Sequence, residues 1–243
     1  MNGHEPLHIE LPLAPPAEGM LSLVCGEVHG GNEPIHTRVA LPGLKAVLYS
    51  HPCHGERGGD VHYLSVCGSG LLSRVCIADV AGHGEVVAKV SAQMHEHLRQ
   101  SVDVIDERRV FREMDKRLDA IGIRAMTTAA LLTYYPPSRR LTVSYAGHPP
   151  GWRQSPGGPW HRLGDGGPAG GERMNLPLGT GFESGYARDR IPTEIGDHVL
   201  VVTDGVLEAH GPDEAEFGVE GVERVLAGVT EAGPEQIADA LLH

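Results

Sequence analysis

Residues 58–84 read GGDVHYLSVCGSGLLSRVCIADVAGHG, and the way this stretch doubles back on itself decides the architecture. Two strand-like runs, 61–67 and 71–80, flank Gly68-Ser69-Gly70, a short glycine-containing connection that signals a hairpin. Asp60 lies nine residues before Ser69 and Asp79 ten after it, so an antiparallel hairpin brings the two carboxylates together at its open end. Like charges facing each other across a sheet are destabilising. A hard cation, which takes oxygen ligands, would relieve that repulsion. The second run is apolar on both faces, with Leu71, Val75 and Ile77 against Leu72, Cys76 and Ala78, as an internal strand requires.

Upstream, residues 1–20 read as a tail or a loosely docked strand. Residues 20–28 and 44–50 look like strands, separated by the turn-rich Gly30-Gly31-Asn32-Glu33-Pro34. Downstream the period changes. Val87, Val90, Met94 and Leu98 fall three to four apart and predict a helix over 85–102. Phe111, Met114, Leu118 and Ile121 form a second stripe over 107–121, with Gly122 as the stop. Two strands, 127–135 and 140–146, follow around Pro136-Pro137-Ser138-Arg139. The Gly/Pro-rich 154–171 reads as a mobile loop. Strands at 186–191 and 198–203 and helices at 219–226 and 234–242 complete the chain. Strand-rich stretches with helices grouped between them predict an α+β fold, not alternating βαβ units.

The 243 residues carry 20 basic and 32 acidic side chains, a net charge of −12, which argues against nucleic-acid or anionic-membrane partners. Hydrophobic content of 40 % supports a real core. Residues 1–20 lack a basic start and an apolar run, so they do not read as a secretory signal. No stretch reaches the roughly 18 apolar residues of a membrane span. Cys25, Cys53, Cys67 and Cys76 lack CxxC spacing and read as free thiols of a reducing cytoplasm.

A third carboxylate, Asp204, ends the apolar run Val199-Leu200-Val201-Val202 within Thr203-Asp204-Gly205. Alone it reads as a turn former. Beside Asp60 and Asp79 the cluster reading is the better one, because a charge at the end of an apolar strand needs solvent or a partner. Three carboxylates without thiol or imidazole suit Mg or Mn and not Zn. Gly58-Gly59 and Gly82-x-Gly84 permit close backbone approach to an ion or phosphate.

GGD at 58–60, ADVAGHG at 78–84, MTTAALL at 126–132, AGHPP at 146–150, LPLG at 176–179 and VVTDGVLEA at 201–209, followed by Phe217-Gly218, occur in this order. Together they resemble bacterial PPM-type metal-dependent protein phosphatases of the SpoIIE-like branch, over about residues 44–226. The resemblance implies an αββα sandwich of two antiparallel sheets flanked by helices, with the metal site at one end between the sheets. It implies residues 1–20 as a tail and 21–243 as one phosphatase domain. The family's metal ligands match Asp60, Asp79 and Asp204, with the Val80 backbone carbonyl. Two Mn or Mg ions, bridged by the residue matching Asp79, would activate a water for hydrolysis of phosphoserine or phosphothreonine, with no covalent nucleophile.

Two departures accompany it. The related branch usually has a further Asp shortly after GGD, where this chain has Tyr63. The family also ends in a strand with another Asp ligand, and the sequence reaches His243 without it, so that strand is expected to be missing.

His83 and His148 are candidates for a proton donor or a supporting group, weighed against turn and packing roles. Arg57 is a candidate contact for the substrate phosphate, weighed against plain surface charge. His95 and His97 stand two apart on a helix and do not share a face, so they do not make a zinc pair. The expected protein is a cytoplasmic Mn- or Mg-dependent phosphatase acting on a phosphorylated signalling protein, such as an anti-sigma-factor antagonist. Its rivals are a degenerate phosphatase serving as a binding module and a metallohydrolase of small phosphate esters.

Overall fold

A computed structural model describes residues 19–23, 25–31, 34–51, 58–82, 84–122, 126–163, 176–182, 185–211, 215–229 and 232–242. Strands β1 (Met20–Ser22), β2 (Gly26–Gly31), β3 (Ile35–Leu41), β4 (Leu44–Ser50), β5 (Asp60–Val66) and β6 (Ser73–Val80) come first. Helices α1 (Glu85–Gln100) and α2 (Glu107–Asp119) follow. Then come β7 (Thr127–Tyr135), β8 (Arg140–Ala146), β9 (Gly151–Gln154), β10 (Trp160–Leu163), β11 (Asp189–Pro192) and β12 (His198–Leu200). Three helices close the order: α3 (Asp204–Leu207), α4 (Gly218–Gly228) and α5 (Pro234–Leu242).

The α+β expectation holds. The large sheet is six-stranded, ordered β11-β8-β7-β6-β5-β2, and antiparallel throughout. The second strand layer differs from a single antiparallel sheet. It consists of two three-stranded sheets, β1-β3-β4 and β10-β9-β12, and β1 runs parallel to β3.

Side chains alternate across the pleat, and each face of the large sheet has its own partner. Tyr63, Cys76, Ala78 and Leu131 pack with Val87, Val90, Met94 and Leu98 of α1 and Phe111, Met114 and Leu118 of α2. These are the stripes expected from the sequence, each such side chain contributing about 1.5–3 kcal/mol on burial. The other face meets the second strand layer through Leu64 and Val66 against Val39, Leu41 and Leu48. Farther along, Trp152 and Val202 pack under Val222 and Leu226 of α4 and Ile237 of α5.

The α1–α2 connection is tied down from inside. Arg74, 1 % exposed on β6, donates to the Ser101 carbonyl at 2.6 Å and to that of Val104, while Asp106 caps α2 by accepting from the Arg108 amide at 3.2 Å.

Two expectations need correction. Residues 35–41 form β3, because Ile35, Thr37, Val39 and Leu41 alternate toward the core; the turn-rich segment before them hid that pattern. Residues 154–163 are not a loop. They finish β9 and form β10, a hairpin held by the register Trp160↔Gln154 to Leu163↔Gly151, whereas 164–171 lie outside the described residues. Cys25, Cys67 and Cys76 are free thiols. Among the described residues no helix is long and apolar enough to cross a membrane.

Candidate metal centre

The hairpin register sets Asp60 directly opposite Asp79, and the next strand sets Thr128 opposite Asp79. The three side chains form one row across β5, β6 and β7. By alternation the row shares its face with Leu64, Val75 and Leu132, which packs on the second strand layer. Asp204 arrives from that layer, four residues after the end of β12, at the first position of α3. Three carboxylates thus meet near one end of the interface between the strand layers.

The electrostatics record the crowding. Burial, then Asp204, Asp60 and Glu208, push the Asp79 carboxyl from 3.8 up to about 6, against a lowering backbone hydrogen bond from Val80. Burial and Asp204 also raise Asp60, opposed by a hydrogen bond with the Thr203 hydroxyl. Carboxylates crowded this way, with Asp60 and Asp79 both raised, suit a hard divalent cation, which would reverse the sign of each interaction.

Backbone packing supports that fit. A Cβ on Gly59 would stand 2.5 Å from Asp79 Oδ1 and 2.8 Å from the Val80 carbonyl oxygen. The space a side chain would fill is therefore occupied by two of the proposed ligand atoms. The Val80 amide donates to the Gly59 carbonyl at 3.0 Å and locks the approach. Donor type, charge and cradle all fit Mg or Mn. Among the described residues, however, the three ligating side chains whose donor atoms close to within 4.8 Å of one another are Glu27, His29 and His95, away from the aspartates.

The other sequence motifs support this end of the sheet. Thr127 forms a bridge with Leu178, its amide donating to the Leu178 carbonyl at 3.0 Å. Gly147, at φ 62°, lies against Pro177, where a Cβ would come within 2.5 Å of the ring. The Gly179 amide donates to Asp115 Oδ1 at 2.8 Å. MTTAALL, AGHPP and LPLG are thus one packed corner.

His148 is buried in it, 7 % exposed, with Nδ1 at 3.0 Å from the Pro149 carbonyl. Burial lowers its pKa, while that bond and Asp204 work against the shift. Its Nε2 and the Thr128 hydroxyl are buried without a hydrogen-bond partner among the described residues. Thr128 and Glu208 escaped the sequence reading, although both lie inside quoted motifs; only the strand register and the turn into α3 bring them to the aspartates.

Arg57 and His83 lie outside the described residues. Tyr63 does not join the carboxylate row. Three positions along from Asp60, it points to the helix face and donates to Glu27 Oε2 at 2.9 Å. His97 turns inward to the Val110 carbonyl at 2.9 Å, while His95 meets Glu27, so the two do diverge.

The sequence model of the family "Stage II sporulation protein E (SpoIIE)" matches residues 72–243, more than half of the chain. The chain belongs to the SpoIIE family. The matched segment includes Asp79 and Asp204, while Asp60 lies upstream of it. Solved structures similar to this SpoIIE-family chain include RsbX in complex with magnesium, with a TM-score of 0.61, 16 % identity, and coverage of 88 % of this chain and 91 % of that one. The PP2C phosphatase domain of SpoIIE from Bacillus subtilis, with a fragment of its regulatory domain, gives 0.63 at 19 % identity, covering 89 % and 57 %. The SiaA PP2C domain of Pseudomonas aeruginosa gives 0.61 at 19 %, covering 76 % and 72 %. At these identities the likeness is one of fold, which is the PP2C fold. Among curated protein sequences none matches.

Proposed function

We propose that this SpoIIE-family chain is a Mn- or Mg-dependent protein serine/threonine phosphatase. Its ions would be held by Asp60, Asp79, Asp204 and the Val80 carbonyl. The observation that carries the reading is the register pair Asp60↔Asp79, kept within the sheet although burial and neighbouring carboxylates raise the pKa of both. Family membership supplies the reaction class.

When bound, two such ions orient and acidify a water and neutralise charge on the phosphoryl and leaving oxygens. The chain's own residues prepare for that work. Asp79 gives up its proton above about pH 6, which leaves an ionised ligand at neutral pH. The Thr203 hydroxyl orients Asp60. The bare α-carbon of Gly59 lets Asp79 and the Val80 carbonyl lie side by side. Arg57 and His83, three residues before Asp60 and four after Asp79, are assigned to the substrate phosphate and to protonation of the leaving group. The substrate is taken to be a phosphorylated signalling protein of the anti-sigma-factor-antagonist type, in the cytoplasm.

Manganese-dependent hydrolysis of a phosphoserine peptide, compared by kcat/KM with an aryl phosphate, tests this. The proposal expects preference for the peptide and loss of both activities in Asp79→Ala. Preference for the aryl ester would favour a small-ester hydrolase. Absence of turnover with either would leave a binding module.

A further inference from the structure

We propose that Glu27, His29 and His95 form a second cation site, on the opposite face of the large sheet from the aspartates, that takes zinc or a similar transition metal. Glu27 and His29 stand two apart on β2 and so point the same way, toward α1, which supplies His95. Glu27 Oε1 lies 2.8 Å from His95 Nε2. The imidazoles of His29 and His95 stack with centroids 3.5 Å apart and planes 23° from parallel. One donor atom from each of the three side chains lies within 4.8 Å of the other two.

This donor set differs in kind from the aspartate centre. Two imidazole nitrogens and one carboxylate oxygen suit zinc with an open coordination position, whereas magnesium prefers oxygen alone. The second carboxylate oxygen is already held, since the buried Tyr63 hydroxyl donates to Glu27 Oε2 at 2.9 Å. Such an outer partner fixes the orientation of a ligand and typically accompanies a metal site. Glu27 and His95 are each about a quarter exposed, so an ion has access from solvent.

A cation here would clamp β2, at one edge of the large sheet, to α1, which begins five residues after Val80. The site would thus report on the helix that follows the aspartate loop without sharing a ligand with it.

The test uses the full chain, stripped of metal and kept in excess magnesium, titrated with zinc against a chromophoric chelator. The wild type should take up one zinc that Asp79→Ala retains, and His29→Ala or His95→Ala should weaken it at least about tenfold. Zinc should raise the melting temperature of the wild type and not of the histidine variants. His29→Gln, which keeps the size of the side chain, serves if an alanine variant melts abnormally without metal. Failure of the wild type to take zinc, or equal uptake by the histidine variants, would overturn the proposal and leave an ordinary Glu27–His95 ion pair.

Discussion

Replacing Asp79 by asparagine should stabilise the metal-free protein at neutral pH while abolishing its manganese binding. The Asp79 carboxyl is raised from 3.8 to about 6, first by burial and then by Asp204, Asp60 and Glu208. A shift of about two units corresponds to roughly 3 kcal/mol between the protonation states. Asp79 is only half-buried, so solvent screening reduces this to about 1–2 kcal/mol. A pKa that is higher folded than unfolded means stability is fully present below about pH 4 and is lost as pH rises through about 6. In chelator, Asp79→Asn should therefore match the wild type at about pH 4 and exceed it above pH 6. The gain expected in a chain of this length is roughly 2–8 °C in melting temperature. Manganese should reverse the order by stabilising the wild type alone. An asparagine variant that melts below the wild type in chelator at pH 7.5, or a difference that does not change with pH, would refute the reasoning.

Gly59→Ala would drive a Cβ into Asp79 Oδ1 and the Val80 carbonyl. It should weaken manganese binding about 10–100-fold by calorimetry, and unchanged affinity would remove the backbone cradle from the site. Thr128→Val removes a buried, unpartnered hydroxyl beside Asp79, so stability by urea denaturation should hold or rise. The same variant should lose phosphatase activity if that hydroxyl meets substrate or a bound water; equal kcat/KM would exclude such a role. Arg74→Met strands the Ser101 and Val104 carbonyls and leaves buried Glu107 with Arg188 at 3.6 Å, which should cost about 3–5 kcal/mol of unfolding free energy. A loss under about 1 kcal/mol would show that the α1–α2 connection does not depend on it.

Features whose cause lies within one window were legible from residue order. The Gly68-Ser69-Gly70 turn and the residue count on either side place Asp60 opposite Asp79, and the register agrees. Helical stripes at Val87, Val90, Met94 and Leu98 and at Phe111, Met114 and Leu118 are the buried ones. The hairpin of β7 and β8 has the expected bounds because alternation on both sides stops at Pro136-Pro137.

Other elements depended on distant partners. Gly30 and Gly31 look like a turn but lie in β2, where the His62 imidazole fills the space over Gly30 and the Asp60 carbonyl crowds Gly31. Trp152 makes β9 part of a core only because Val202 and two C-terminal helices close over it.

Sequence by itself determined the fold class, the internal strand that carries Asp79 and the pairing of Asp60 with Asp79, since each follows from local periodicity or turn position. Tertiary structure alone decided that the second strand layer is split, that Thr128 completes the aspartate row, and that His95 leaves His97 to join Glu27, 68 residues away. The physical reason is that periodicity fixes which face a side chain occupies, while the packing of one element on another fixes what that face meets.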